Sequence, residues 1–197
     1  QWCKHDSARL FKGDFDGDGR TDLMCHDIDD GFKWIDYANN NGRFLGTDWS
    51  RDAQWCRGDG SKVFVGDFDG DGIETAGLHR ESTGLVYFRN SHTQGNADAQ
   101  FIYGDPGDRL IAGDWTGDGT FTPALFRPSN TTMYFRYTNT QGNADEQYEY
   151  GIPRMLPVAG TFDISATTAG KMLVQAGVAY WGSAAQMELQ TAIQFYQ

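Results

Sequence analysis

The chain has 197 residues, of which 39% are hydrophobic and 14% aromatic, enough to bury a core and too apolar for disorder. Asp and Glu outnumber Lys and Arg by 27 to 16, a formal net charge of -11. That balance argues against nucleic acid and anionic membrane surfaces as partners, and it suits a protein that takes up cations. No apolar run approaches the ~20 residues of a membrane-spanning helix, so no membrane insertion is expected. The start at Gln1 reads as a processed, secreted chain or a trimmed one.

Taken in order, the first predicted strand is Arg9–Phe15 (RLFKGDF), which runs into an acidic loop. Asp22–Asp27 (DLMCHD) leaves that loop, Phe32–Ala38 (FKWIDYA) alternates around Trp34, and Phe44–Trp49 (FLGTDW) closes the unit. The same order follows in Lys62–Phe68 (KVFVGDF), Ala76–Arg80 (AGLHR), Leu85–Asn90 (LVYFRN) and Ala99–Gly104 (AQFIYG). These runs are short, rich in Val, Phe and Tyr, and punctuated by Gly, Asn and Asp, which is the signature of strands and tight turns.

The order recurs because the chain is a repeat. A motif glycine stands at positions 13, 66, 113 and 160, so the period is 47–53 residues. Residues 76–104 align with 123–151 without a gap, and TQGNAD occurs at both 93–98 and 140–145. The last unit is degenerate but keeps apolar runs at Met172–Val174, Val178–Trp181 and Ala192–Tyr196. Four strands per unit is the spacing of a propeller blade. The fold expected is all-β: one repeat domain over 1–197, a small propeller of about four blades with four antiparallel strands each. The blades would divide near 1–56, 57–104, 105–151 and 152–197. Blades of a ring completed by another chain, or a different β solenoid or sandwich, are the competing architectures.

Two loops carry chemistry. Gly13–Asp22 reads GDFDGDGRTD and Gly66–Thr75 reads GDFDGDGIET. Alternate residues of such a loop converge on one point, and the glycines permit the turns. In the first loop Asp14, Asp16, Asp18, the Arg20 carbonyl and Asp22 form an all-oxygen donor set. A hard cation of the size of calcium wants 6–8 such oxygens, and the absence of Cys and His disfavours zinc and copper. The second loop offers Asp67, Asp69, Asp71, the Ile73 carbonyl and Thr75. The third keeps two carboxylates among Asp114, Thr116, Asp118, Thr120 and Thr122, so its cation is doubtful. The fourth, with Thr161, Asp163 and Ser165 before Ala169, is expected to hold none. Calcium at the first two sites is expected to be structural, a staple across a hairpin.

The first half of each loop resembles that of an EF-hand, but position 12 is Cys25 rather than Glu and the flanks are strands. With those flanks the segment resembles the calcium loop of FG-GAP/VCBS repeats, the blade unit of integrin-type propellers. The first unit also resembles integrin-like propeller lectins, whose ligand sites lie between blades. That resemblance implies a secreted, calcium-stabilised module binding a glycan or glycoprotein. A protein-binding, adhesion or accessory module is the alternative, and a polysaccharide-degrading enzyme a third. The enzyme reading has no GxSxG, HExxH or CxxC motif behind it.

Candidate ligand residues are the less regular aromatics and their polar neighbours: Trp34, Asp36, Tyr37, Trp49, Arg89 and Arg136, with Asn39, Asn40 and Asp48 beside them. Trp2, Trp55 and Trp115 sit at repeat positions and are expected in the core, while the repeat-equivalent His26 and His79 read as strand residues rather than catalytic ones. The RGD triplet at Arg57–Asp59 reads as a chance occurrence before a strand. Of three cysteines, Cys3 and Cys56 are repeat-equivalent, while Cys25 corresponds to Leu78. Two bridges are therefore open, Cys3–Cys25 within the first unit, which is preferred, and Cys25–Cys56 between units. Oligomeric state is not readable from these residues.

Overall fold

A computed structural model describes residues 3, 6–38, 44, 50–52, 60–154, 156–157, 159, 172–175 and 178–181, with the backbone alone at 50–52, 172–175 and 178–181. Every element among them is a strand. The first sheet takes β1 (Ala8–Gly13), β2 (Asp22–Asp27), β3 (Lys33–Asp36) and β4 (Ser50–Asp52) in chain order. The second takes β5 (Lys62–Gly66), β6 (Thr75–Arg80), β7 (Leu85–Phe88) and β8 (Ala99–Ile102). The third takes β9 (Arg109–Gly113), β10 (Thr122–Arg127), β11 (Thr132–Phe135) and β12 (Glu146–Glu149). A hairpin of β13 (Met172–Gln175) and β14 (Val178–Trp181) follows. All pairings are antiparallel and join sequence neighbours, so each four-stranded sheet is a simple meander.

The repeat is kept in the register. His79 faces Lys62 and Val86 in the second sheet, and Phe126 faces Arg109 and Met133 in the third, each shifted by the same period. The second strand of each unit is the buried one. Thr75–His79 and Thr122–Phe126 are covered along their whole length, because the sheets pack on both faces. The fourth strands are sheet edges: β12 (EQYE) is exposed at every residue, while β8 (AQFI) buries Phe101 alone. An edge strand needs only backbone pairing on one side, so its own side chains do not announce it. In the first unit the fourth strand is described at Ser50–Asp52, with Ile35 opposite Ser50, and the FLGTDW run expected to close the unit lies, Phe44 apart, outside the described residues.

The core fills the spaces between successive sheets. Phe15, Met24 and Ile35 of the first unit pack with Ala76, Val63 and Val65 of the second. Phe68, Val86, Phe88, Phe101 and Tyr103 of the second pack with Ala112 and Leu125 of the third. Phe68 stacks on Phe88 at 4.4 Å between centroids and meets Phe64 edge-on at 5.4 Å. A third cluster gathers Trp115, Ala124, Phe126, Met133 and Phe135. Trp115 thus takes the core place that Phe15 and Phe68 hold in the other units. The first strands β1, β5 and β9 lie beside one another in sequence order. Each sheet supplies one wall for its neighbour, so no unit buries its apolar surface alone.

Cys3 and Cys25 form a disulfide with Cα atoms 5.7 Å apart, the pairing within the first unit. Trp49, Asn39, Asn40, Asp48, Trp2, Trp55, Cys56, Arg57–Asp59 and the loop residues of the fourth unit lie outside the described residues.

Candidate metal centres and the loops around them

The first connection of each meander is the acidic loop. Its turn is built by its first aspartate. Asp14 Oδ1 accepts the N–H groups of Gly17 and Asp18, at 2.8 and 3.1 Å, and Oδ2 accepts that of Gly19 at 2.8 Å. Asp67 accepts Gly70, Asp71 and Gly72 in the same way, and Asp114 accepts Gly117, Asp118 and Gly119. Gly17 and Gly19 have φ of 76° and 82°, and every equivalent glycine is also positive, where a side chain would be strained. The Arg20 and Ile73 amides then close on Asp18 and Asp71 at 2.8 Å.

This geometry brings Asp14, Asp16 and Asp18 together, with a carboxylate oxygen of each within 4.8 Å of the others, and does the same for Asp67, Asp69 and Asp71. Three like charges at that separation repel unless a cation or protons offset them. Burial, then the neighbouring Asp71, pushes the Asp69 carboxyl above its ordinary range, while Asn90 donates a hydrogen bond to it. Thr75, which stands where Asp22 stands in the first unit, is 2% exposed, and its hydroxyl has no hydrogen-bond partner among the described residues. An all-oxygen set of three carboxylates fits a hard divalent cation.

The remaining predicted ligands are arranged differently. Asp22 is fully buried, and its two oxygens accept the Phe15 and Ala38 N–H groups at 2.9 and 2.8 Å. Burial raises its carboxyl despite those bonds. It clasps the loop to the segment just after β3. Arg20 turns its side chain back onto Asp18 and onto the Ala38 carbonyl. In the third loop the Thr116 and Thr120 hydroxyls bond Asp118, whose carboxyl is held low, chiefly by the Thr120 N–H. Those neutral donors satisfy Asp118 from within the chain. Thr122 lies buried, its carbonyl accepting the Trp115 indole N–H at 2.7 Å.

The acidic loops interlock across the seams. The Asp14 carbonyl accepts the Glu74 N–H at 2.7 Å, and the Asp67 carbonyl accepts the Phe121 N–H at 2.6 Å. His92 Nε2 lies 3.1 Å from the Phe15 carbonyl, and Asn139 Nδ2 donates to the carbonyls of Phe68 and Phe121 at 3.1 and 3.0 Å. Each bond recurs one period later. Glu74 also presents its carboxylate to the Asp14 N–H, and burial raises its carboxyl. His92, Asn139 and Glu74 take these roles only once the sheets are stacked. The signal was present: His92 and Asn139 stand one period apart, each just before TQGNAD.

The proposed ligand residues separate into three groups. Trp34 is half-buried against Phe32, and Tyr37 is half-buried against the first core cluster. Asp36 is buried. Arg89 and Arg136 are taken up by their own loops. Arg89 donates to the Thr93 carbonyl and hydroxyl and to the Asn96 carbonyl, all at 2.7 Å. Arg136 repeats this with Thr140 and Asn143 and adds Asp145. Their guanidinium groups shape the TQGNAD turn.

No helix among the described residues is long and apolar enough to cross a membrane. Neither a curated protein nor a solved structure matches the chain. The FG-GAP-like repeat family matches residues 14–74, a span that begins at Asp14 of the first acidic loop and ends at Glu74 of the second. Antiparallel sheets without helices among the described residues fit that repeat, which suggests an integrin-like propeller module. Residues 14–74, with both three-carboxylate loops, are an FG-GAP-like repeat.

Proposed function

We propose that the chain is a secreted, calcium-stabilised β-propeller binding module whose ligand is a carbohydrate or glycoprotein. The observation that carries this reading is the pair of three-carboxylate loops, one period apart, each locked onto the next unit. Asp14, Asp16 and Asp18 would hold one ion, and Asp67, Asp69, Asp71 and the Thr75 hydroxyl a second. Calcium there supplies positive charge that offsets carboxylate repulsion. The chain's own residues do the rest: Asp14 and Asp67 set the turn, and Glu74, His92 and Asn139 fasten neighbouring units. The three meanders count as blades, with β13–β14 as part of a fourth. The disulfide and the absence of a membrane-spanning helix among the described residues accord with secretion.

A glycan array, read with calcium and again after chelation, tests the proposal. Binding of a defined glycan class supports it, and loss on chelation ties the ligand surface to the loops. A blank array with an intact, calcium-loaded fold removes the carbohydrate reading. Exposed Ile102, Tyr148, Ile152 and Leu156 favour a protein partner as the second reading.

A further inference from the structure

In an antiparallel meander the first and third connections leave from the same end. The acidic loops therefore share one end of the molecule with the β7–β8 and β11–β12 connections, which carry the two TQGNAD turns. His92 and Asn139 fasten those turns to the acidic loop of the preceding unit.

The frame of each turn accounts for most of its residues. Thr93 and Thr140 give a carbonyl and a hydroxyl to the arginine. A Cβ on Gly95 or Gly142 would stand 2.7 or 2.6 Å from that guanidinium, so only glycine lets it lie against the backbone. Asp98 and Asp145 cap the N–H groups of Asn90 and Tyr137 at 2.8 and 2.7 Å. At Asn96 and Asn143 the frame uses a carbonyl, which any residue offers. At Gln94 and Gln141 it uses nothing. Yet both copies place Gln and Asn there, all four exposed, and none of the four side-chain amides has a hydrogen bond among the described residues.

We propose that Gln94 with Asn96, and Gln141 with Asn143, are ligand-reading side chains that hydrogen-bond the hydroxyls of a neutral oligosaccharide, one copy of the site per turn. This rests on the carbohydrate reading above and names its contact residues. A primary amide offers donors and an acceptor in one plane, and a hydroxyl also donates and accepts. The arginine clasp holds the turn before any ligand arrives, which reduces the ordering cost of binding. Arg89 lies near Asp98 and Arg136 pairs with Asp145, so each turn offers no net charge to attract an ion. Between its clasped ends the turn has only Ala97 or Ala144 as an apolar group, whereas protein interfaces centre on large aromatic or arginine anchors.

The test compares wild type, Gln94→Ala/Asn96→Ala, Gln141→Ala/Asn143→Ala and the fourfold variant on an array of neutral and acidic oligosaccharides. Thermal melts check the fold, and exposed amides outside the frame are expected to leave the melting temperature unchanged. The fourfold variant is expected to lose at least ~10-fold in signal for a neutral oligosaccharide, and each double variant part of that, as for lost hydrogen bonds of ~1 kcal/mol or more. Backbone amide resonances of residues 93–98 and 140–145 are expected to shift when the best-bound oligosaccharide is added to wild type. A folded fourfold variant that binds as wild type does would overturn the placement and leave the carbohydrate reading standing. Binding to acidic glycans alone would overturn the ligand class, and a wild-type array without binding would remove both readings.

Discussion

The imidazole of His79 is 1% exposed, and neither ring nitrogen has a hydrogen-bond partner among the described residues. Burial pushes its pKa down from 6.5 to about 4, with Asp108 opposing. Between those values the unfolded chain takes up a proton that the native chain refuses, so stability is present above pH 6.5 and is lost as pH falls towards 4. The loss amounts to about 3 kcal/mol. Phe126 fills the equivalent place in the third sheet, which makes His79→Phe the natural probe. Urea unfolding across pH 4–7 is expected to give a flatter acid limb for His79→Phe than for wild type. Identical limbs would mean that the native fold admits the proton. In the third unit, Asp108 and Arg127 form a two-bonded pair at 2.9 and 2.7 Å, and Arg127 also lies 4.7 Å over the Tyr134 ring. The guanidinium is held charged chiefly by those bonds.

Between elements, the seams join the sheets through a few repeated polar contacts laid over the aromatic core. Asn139 serves two carbonyls from different units, so Asn139→Ala leaves both without their side-chain donor. The expected loss is about 2 kcal/mol, read as a lower urea midpoint at unchanged slope. A loss below ~0.5 kcal/mol would mean that water replaces the amide. The Cys3–Cys25 bridge acts at the same scale, pinning the segment before β1 onto β2 across a separation of 22 residues. A loop of that length is worth about 3 kcal/mol of unfolded-state constraint. Cys3→Ala/Cys25→Ala is expected to lose that amount in chemical denaturation, and an unchanged midpoint would make the bridge dispensable.

For the whole molecule the governing quantity is charge. A net charge of -11 opposes compaction, and much of it is concentrated in loops stacked along one end. The third loop keeps the same backbone turn with two carboxylates, because Asp114 and two threonine hydroxyls satisfy it internally. The loop shape is therefore a property of the backbone bonds, and on the proposed reading a cation would add stability to a turn already formed. Calorimetry is expected to give a lower melting temperature after chelation and full recovery with calcium. At free calcium of 100 times Kd, each site would add about 2.7 kcal/mol. Asp16→Asn/Asp69→Asn should erase most of that response, and a wild type indifferent to chelation would end the staple reading.

The repeat period, the strand order and the two acidic loops were legible in the chain itself, and the cysteines were narrowed to two possible bridges. They are local or periodic properties: a glycine every 47–53 residues, aspartates at alternate positions, and a cysteine with no counterpart at Leu78. Tertiary structure alone decided that Asp22 turns inward onto Phe15 and Ala38, and that Arg89 and Arg136 are consumed by their own turns. It also placed β4 on a polar segment, and it set His92 and Asn139 across the seams. These outcomes depend on which loops share an end of a meander and which edge is left to pair. Residues 92 and 15 are 77 apart in the chain, and no spacing rule joins them until the sheets stack.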